Sequence, residues 1–364
     1  MTIPAIGRSR RPVLATVLAT ALGLGILGVA GSLHAEREPL RGVVEGRPVD
    51  APRTRTVYRN QDPHFTRGPF FTRLQSFASG MTWLIAERRV AALPSAAPDL
   101  ERLRAARGAS VTWVGHATVL VQLDGVTFLT DPNWSQVSGP FGLIGVSRYT
   151  PPGIRFEDLP RIDFVLISHD HYDHLDEDTV KRLVQAFDPR FIVPRGIGAW
   201  LRDRGVTKID ELEWGESTRI KGLTVVCTPA QHGSGRTVAD QGRRLWSSWA
   251  VLGSKRFYFG GDTGYYGHFR ETGDALGPFD LAALPIGSYT PRSTSRAVHL
   301  NPEEALQAWE DLRAREFLGI HWGTFMLARE PYDEPPARLA AEVARRGFPA
   351  DRIWTPKPGQ TLDW

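Results

Sequence analysis

Cysteine is almost missing from this 364-residue sequence: Cys227 stands alone, so the chain can close no internal disulfide and build no cysteine-based zinc knuckle. Internal repeats, low-complexity tracts and a second membrane-length apolar run are missing too. The charge surplus is small, +4, and Arg8, Arg10 and Arg11 supply three of those charges. A nearly neutral body gives little purchase on phosphate backbones, so nucleic acid is excluded as a partner. What is present, 41% hydrophobic and 23% charged residues, is the composition of a globular protein and not of a disordered, collagen-like or disulfide-scaffold chain. At about 150 residues per domain, the length allows one large or two ordinary domains.

Residues 1–35 read as an address. Three arginines precede an apolar run from Val13 to about Leu33, with small residues at Ala30, Ser32 and Ala35, the layout of a secretory signal. Ser9-Arg10-Arg11-Pro12-Val13-Leu14 resembles a twin-arginine export signal, which carries folded proteins across a membrane. The alternative is an uncleaved anchor, since about 20 apolar residues just span a bilayer. Either way the body is expected outside the cytoplasm, periplasmic or attached to the cell membrane. Residues 36–66, rich in Arg, Pro and Asp, read as a linker or an arm laid on the surface. Residues 67–364 then form the main domain. It opens with Phe70, Phe71, Leu74, Phe77, Met81, Leu84 and Ile85 at helical spacing, an amphipathic helix that packs on the domain or meets lipid.

The body alternates β-rich runs with helical patterns. Strands are expected at 111–114, 118–123, 126–130, 164–167, 223–228, 248–252, 256–259, 281–285 and 317–320, and helices at about 176–187, 302–313 and 335–346. Asn301-Pro302-Glu303 gives one helix a cap, a proline in its first turn and an acidic start. Alternation of this kind predicts a layered α/β fold.

Directly after the apolar run Phe164-Val165-Leu166-Ile167 comes Ser168-His169-Asp170-His171-Tyr172-Asp173-His174. His169, His171, Asp173 and His174 crowd four metal-binding side chains into six residues, a density that packing does not explain. Imidazole with carboxylate suits zinc in a site left open to water. Further ligands are expected where other strands end: His232, Asp262 and His321.

The order Asp131, His-Asp-His-Tyr-Asp-His, His232, Asp262, His321 resembles the metallo-β-lactamase superfamily. That resemblance implies an αββα sandwich, two facing sheets flanked by helices. It also implies two Zn2+ or other divalent ions. His169, His171 and His232 would hold one, Asp173, His174 and His321 the other. Asp262 would lie between them, with Asp131 steadying the loop from behind. Cys227 reads as a small buried strand residue.

Within the superfamily, the runs 112–118 (Thr-Trp-Val-Gly-His-Ala-Thr), 260–265 (Gly-Gly-Asp-Thr-Gly-Tyr), 277–283, 298–305 and 320–325 resemble the N-acylphosphatidylethanolamine-hydrolysing phospholipases D. The resemblance implies cleavage of a lipid phosphodiester to N-acylethanolamine and phosphatidate, a phospholipid surface as partner, and a homodimer. It places His299 near the reacting phosphate, as proton donor or phosphate hydrogen-bond donor. Asp173 joins His299 as a catalytic candidate. Tyr289 and Arg292 are candidates for binding substrate. His116 either supports the metal loop or is satisfied inside its strand turn. Two stretches depart from that family: Gly233-Ser234-Gly235 follows His232 where the animal enzymes have an aromatic, and the loop 139–145 has no equivalent. The expected chemistry is in-line attack on phosphorus by a hydroxide held between the metals. The alternative is metal-dependent opening of another bond, such as a lactone or a different phosphodiester.

Overall fold

The computed structural model describes residues 53–54, 57–62, 91–106 and 108–364. The leader, the anchor alternative and the amphipathic helix over 70–85 lie outside those residues. Among the described residues, no helix is long and apolar enough to cross a membrane.

Among the described residues, fourteen strands make two seven-stranded sheets. One holds β1 (Ser110–Gly115), β2 (Thr118–Leu123), β3 (Val126–Thr130), β4 (Phe164–Leu166), β5 (Arg190–Pro194), β6 (Ile209–Leu212) and β14 (Thr361–Asp363), in the order β6-β5-β4-β3-β2-β1-β14. The other runs in chain order through β7 (Ser217–Ile220), β8 (Leu223–Thr228), β9 (Ser248–Leu252), β10 (Arg256–Phe259), β11 (Leu281–Pro285), β12 (Glu316–Ile320) and β13 (Ile353–Trp354). The sheets are mixed: β1, β2 and β3 are antiparallel neighbours, whereas β3-β4-β5 and β10-β11-β12 run parallel.

Side chains that alternate along a strand serve two cores. Val111, Trp113, Val119, Val121, Phe128 and Phe164 face the second sheet, where they meet Val225, Trp249, Val251 and Phe257. Val114, Leu120, Leu129 and Val165 point the other way, under Val180 and Leu183 of α2 (Glu177–Phe187). These strands are buried on both faces and are accordingly largely apolar, with Ser110, Thr112, Gln122 and Thr127 as buried polar exceptions. The far face of the second sheet is covered by α4 (His268–Leu276), α6 (Pro302–Asp311) and α7 (Glu334–Arg346). Shorter helices are α1 (Leu100–Ala105), α3 (Gly198–Arg202) and α5 (Arg292–Ser295). The architecture is the expected αββα sandwich.

All nine expected strands and three expected helices are present, with ends moved by at most two residues. β5, β6, β7, β13, β14, α1, α3, α4 and α5 were not expected. β6 and β7 are short and mixed in polarity, and α4 carries Thr272 and Gly273 on its buried face, so neither leaves a clean periodic signal. The tryptophans 246, 249, 309 and 322 are buried. Trp249 also pins the two sheets together just beneath the metal loop, its indole N–H donating to the Ile167 carbonyl at 2.9 Å. Cys227 is buried, and burial pushes its thiol pKa up. One expectation needs refining: within the arm 36–66, Tyr58 is buried and Asn60 reaches the loop that carries His232.

Candidate metal centre

Every expected ligand sits just past a strand end, and the two sheets bring these ends to one rim. Asp131 follows β3, the loop 168–174 follows β4, His232 follows β8, Asp262 follows β10 and His321 follows β12. Asp131 (φ 35°), His116 (φ 54°) and His321 (φ 61°) take left-handed backbone conformations. Non-glycine residues adopt these at a cost of about 1–3 kcal/mol, and they concentrate where function fixes a side chain. Gly261 shows how tightly the rim is drawn: a Cβ there would lie 2.5 Å from Ser168 Cβ.

Two donor sets result. In the first, His169 Nε2 lies 2.8 Å from His171 Nδ1, which lies 3.2 Å from His232 Nε2. In the second, His174 Nε2 lies 3.2 Å from Asp173 Oδ2, and His321 Nε2 lies 3.5 Å from the same oxygen. Asp262 stands between them. Its Oδ2 is 3.2 Å from His174 Nε2 and 3.8 Å from His232 Nε2, and its Oδ1 is 3.0 Å from His321 Nε2.

The packing of these atoms fits a bound cation. Three ring nitrogens that face one another cannot all be satisfied by hydrogen bonds. His174 Nε2, His321 Nε2 and Asp262 Oδ1 are buried and make no well-aligned hydrogen bond, although they lie 3.0–3.2 Å from one another's groups, and poorly satisfied buried groups of this kind are costly. Ring nitrogens and carboxylate oxygens converging in this way match the ligand chemistry of zinc and similar divalent ions.

Electrostatics separates the sets. Burial pushes His169, His171 and His232 below the usual imidazole range, so their rings are neutral and ready to ligate. Burial opposes charge on His174 and His321 as well, but the nearby carboxylates outweigh it. His174 is raised well above its usual value and His321 to about 9. Asp173 and Asp262 stay well below the carboxylate range because the imidazoles beside them overcome burial.

The supporting residues are where the sequence suggests. Asp131 Oδ2 lies 2.6 Å from His174 Nδ1 and accepts the Ser168 hydroxyl at 2.5 Å, while its Oδ1 accepts the Ser168 N–H at 2.7 Å. His116 Nε2 lies 2.9 Å from Asp173 Oδ2, so of the two alternatives it supports the metal loop. Burial pushes its pKa down to about 3.

His299 borders the centre, its Nδ1 3.8 Å from Asp262 Oδ2 and without a hydrogen-bond partner. Burial holds its pKa down to about 4. With His171, Asp173, His232, Asp262 and His321 it lines a cavity of about 420 Å³ whose walls include Val146, Pro291, Val298, Met326 and Leu327.

Tyr289 and Arg292 do not line this cavity, which corrects the expectation that they bind substrate. Tyr289 is buried with its hydroxyl donating to Glu334 at 2.6 Å. Arg292 pairs with Glu304 at 2.5 Å and donates to the His299 carbonyl at 2.9 Å, so it holds the His299 backbone in place.

Three residues escape a reading of the sequence. Asp170 points away from the cluster and ties it to the loop after His232, accepting from the Gly235 N–H at 2.7 Å and from Arg244 at 2.6 Å. Asn133 donates to the Tyr172 and Asp173 carbonyls at 3.3 and 3.2 Å. Arg148 in turn donates to the Asn133 carbonyl at 2.8 Å. Such roles depend on distant backbone atoms, and single-residue identity carries no signal for them.

A model of the β-lactamase superfamily domain matches residues 126–322. The chain is 47% identical over 246 residues to the N-acyl-phosphatidylethanolamine-hydrolyzing phospholipase D 1 of Caenorhabditis elegans, covering 64% of this chain and 69% of that protein. It is 31% identical over 262 residues to a metal-dependent hydrolase of Solibacter usitatus, covering 70% and 99%. Among solved structures, a metallo hydrolase from Ignicoccus hospitalis superposes with a TM-score of 0.54 at 23% identity, over 70% of this chain and 97% of that one.

Proposed function

The chain belongs to the β-lactamase superfamily of metal-dependent hydrolases, and from that premise we propose that it cleaves N-acylphosphatidylethanolamine-type lipids to N-acylethanolamine and phosphatidate. The observation that carries this reading is one cavity lined by members of both donor sets, His171 and His232 from one and Asp173 and His321 from the other, and by apolar side chains. The likeness to a phospholipase of that name supports the substrate class.

In this reading His169, His171 and His232 would hold one zinc ion and Asp173, His174 and His321 a second, with Asp262 within reach of either set. Such ions would supply Lewis acidity, making water nucleophilic at neutral pH and offsetting negative charge on phosphate. The chain's own residues do the rest. Asp131 and His116 fix the orientations of His174 and Asp173 from behind. His299, neutral because it is buried, lines the cavity and in this reading acts as a hydrogen-bond donor toward a phosphate oxygen. Val146, Val298, Met326 and Leu327 line the approach for apolar parts of the substrate and keep water sparse.

The partner in this reading is a lipid surface, and one hairpin suits it. Val137–Ser138 pairs with Val146–Ser147, and the turn between them carries Phe141, Leu143 and Ile144 at 90%, 79% and 72% exposure. They are the exposed large hydrophobic residues among those described. Val146, at the base of the hairpin, lines the cavity, so a tip seated in the bilayer would hold the cavity mouth at the surface. The leader at 1–35 adds export to this reading.

The test is hydrolysis of N-acylphosphatidylethanolamine in vesicles by the metal-loaded chain, beside a chelated control, a soluble bis-aryl phosphodiester and a simple lactone. Release of N-acylethanolamine that stops on chelation is the expected result. Cleavage of the lactone alone would overturn it. Changing Phe141, Leu143 and Ile144 to serine should reduce vesicle cosedimentation and leave turnover of the soluble diester unchanged.

A further inference from the structure

His232 is fixed from three directions. Its Nδ1 lies 2.9 Å from the Val298 carbonyl, which leaves Nε2 turned toward His171. The preceding residue, Gln231, is held by its N–H to Thr263 Oγ1 at 2.9 Å and by its side chain to the Ala297 carbonyl at 3.2 Å. The third restraint comes from a position 172 residues earlier in the chain. Asn60 Oδ1 accepts the His232 N–H at 3.0 Å, and Asn60 Nδ2 donates to the His232 carbonyl at 2.9 Å. The same Oδ1 takes the Trp246 indole N–H at 3.1 Å.

A side-chain amide bonded to both backbone polar groups of one residue holds it as a neighbouring strand would. The segment bearing Asn60 is itself seated. Tyr58 is buried, and its N–H donates to the Gly242 carbonyl at 2.8 Å. Gly242 has φ 70°, and a Cβ there would lie 2.6 Å from Val57 Cγ1, so the close approach needs glycine.

We propose that Asn60 is a positioning residue for His232, and that it sets the affinity of the His169, His171 and His232 donor set for a divalent cation. The segment 57–60 thereby belongs to the metal centre. The orientation of a ligand is set by the groups behind it, and losing such a group typically lowers metal affinity about 10–100-fold. The inference rests on the metal-binding part of the proposed function and asks nothing of the lipid.

The experiment uses the full chain and reads metal occupancy. Zinc is titrated against a chromophoric chelator, and the visible absorption of the cobalt(II) form is recorded, for wild type, Asn60→Ala and Asn60→Asp. In Asn60→Ala one site should weaken about 10–100-fold while the other keeps its affinity, and the cobalt bands of the weakened site should shift. Asn60→Asp is isosteric and preserves packing, but it sets a carboxylate oxygen against the His232 carbonyl, so the same site should weaken at least as much. Unchanged affinity at both sites would overturn the proposal. So would an equal loss at both sites with a matching fall in the melting temperature of the chelated chain, because that is general destabilisation. Occupancy is read without turnover, so failure of the lipid reading leaves this result untouched.

Discussion

The two donor sets lie side by side on one rim and yet solve opposite problems. His169, His171 and His232 are pushed below their usual pKa by burial, which outweighs the pull of Asp262 on all three rings and of Asp173 and Asp170 on His171. His174 and His321 sit among Asp173, Asp262 and Asp131 and are driven the other way. A cation entering the mixed set meets compensating negative charge, whereas one entering the imidazole set must borrow it. The lender is Asp262, 3.8 Å from His232 Nε2 and 3.0 Å from His321 Nε2. The sets are coupled through Asp262 and, behind it, through Asp131 and Ser168, whose hydroxyl lies 2.5 Å from Asp131 Oδ2 and 2.9 Å from His169 Nδ1.

Breaking the coupling should have the largest effect. Asp262→Asn is expected to lower turnover at least about 10²–10³-fold, the scale on which loss of one preorganised electrostatic group is felt. Metal content by elemental analysis should fall in both sets. A fall confined to one set would show that they do not share Asp262.

Next come the residues behind the mixed set. His116→Ala removes the 2.9 Å contact to Asp173, and Asp131→Asn weakens the 2.6 Å contact to His174. His116→Ala is expected to cost the mixed set about 10–100-fold in zinc affinity and to spare the imidazole set, whereas Asp131→Asn should also loosen His169 through Ser168 and weaken both sets. The His116 pattern is the reverse of the one expected for Asn60. The same chelator titration compares the three variants, and a shared pattern would merge the sets into one.

Much of this was legible in the residues. A dense His-Asp-His-Tyr-Asp-His run after an apolar strand marks a metal loop by itself. His232, Asp262 and His321 each follow a strand whose apolar run is unmistakable, so their convergence could be inferred. The strands missed, such as β6 and β7, lie at sheet edges, where half-exposed polar residues erase the apolar pattern. Tyr289 and Arg292 were misread for a related reason. A tyrosine and an arginine after a strand look available, and only the fold reveals Glu334 and Glu304 beside them. Asn60 and Asn133 act on backbone atoms far away in sequence, and no motif announces that.

The sets should also differ in their response to pH. Carboxylates hold the proton on His321 up to about 9, and a cation must displace that proton to reach Nε2. Raising pH from 7 toward 9 is therefore expected to strengthen binding in the mixed set by about tenfold per unit for each proton displaced. The imidazole set, already neutral there, should stay flat. Two zinc titrations, at pH 7 and pH 8.5, are enough to see the difference.

The smallest expected effect supplies the internal standard for the comparison. His268, on α4, is as deeply buried as His321, but burial acts on it alone and pushes it down to about 3. The folded chain therefore keeps His268 neutral, while the unfolded chain takes up a proton near pH 6.5. The unfolded state binds more protons below that point, so this group contributes a loss of stability as pH falls from about 6.5 toward 3, and nothing above it. Between pH 8 and pH 6 the loss amounts to about 1 kcal/mol. His268→Phe keeps the volume and removes the proton site. The difference in unfolding free energy between pH 8 and pH 6 should shrink by that amount relative to wild type in chemical denaturation. If it does not shrink, burial is not what moves His268. Burial would then not account for the neutral rings of the imidazole set either, since the same cause is invoked for both.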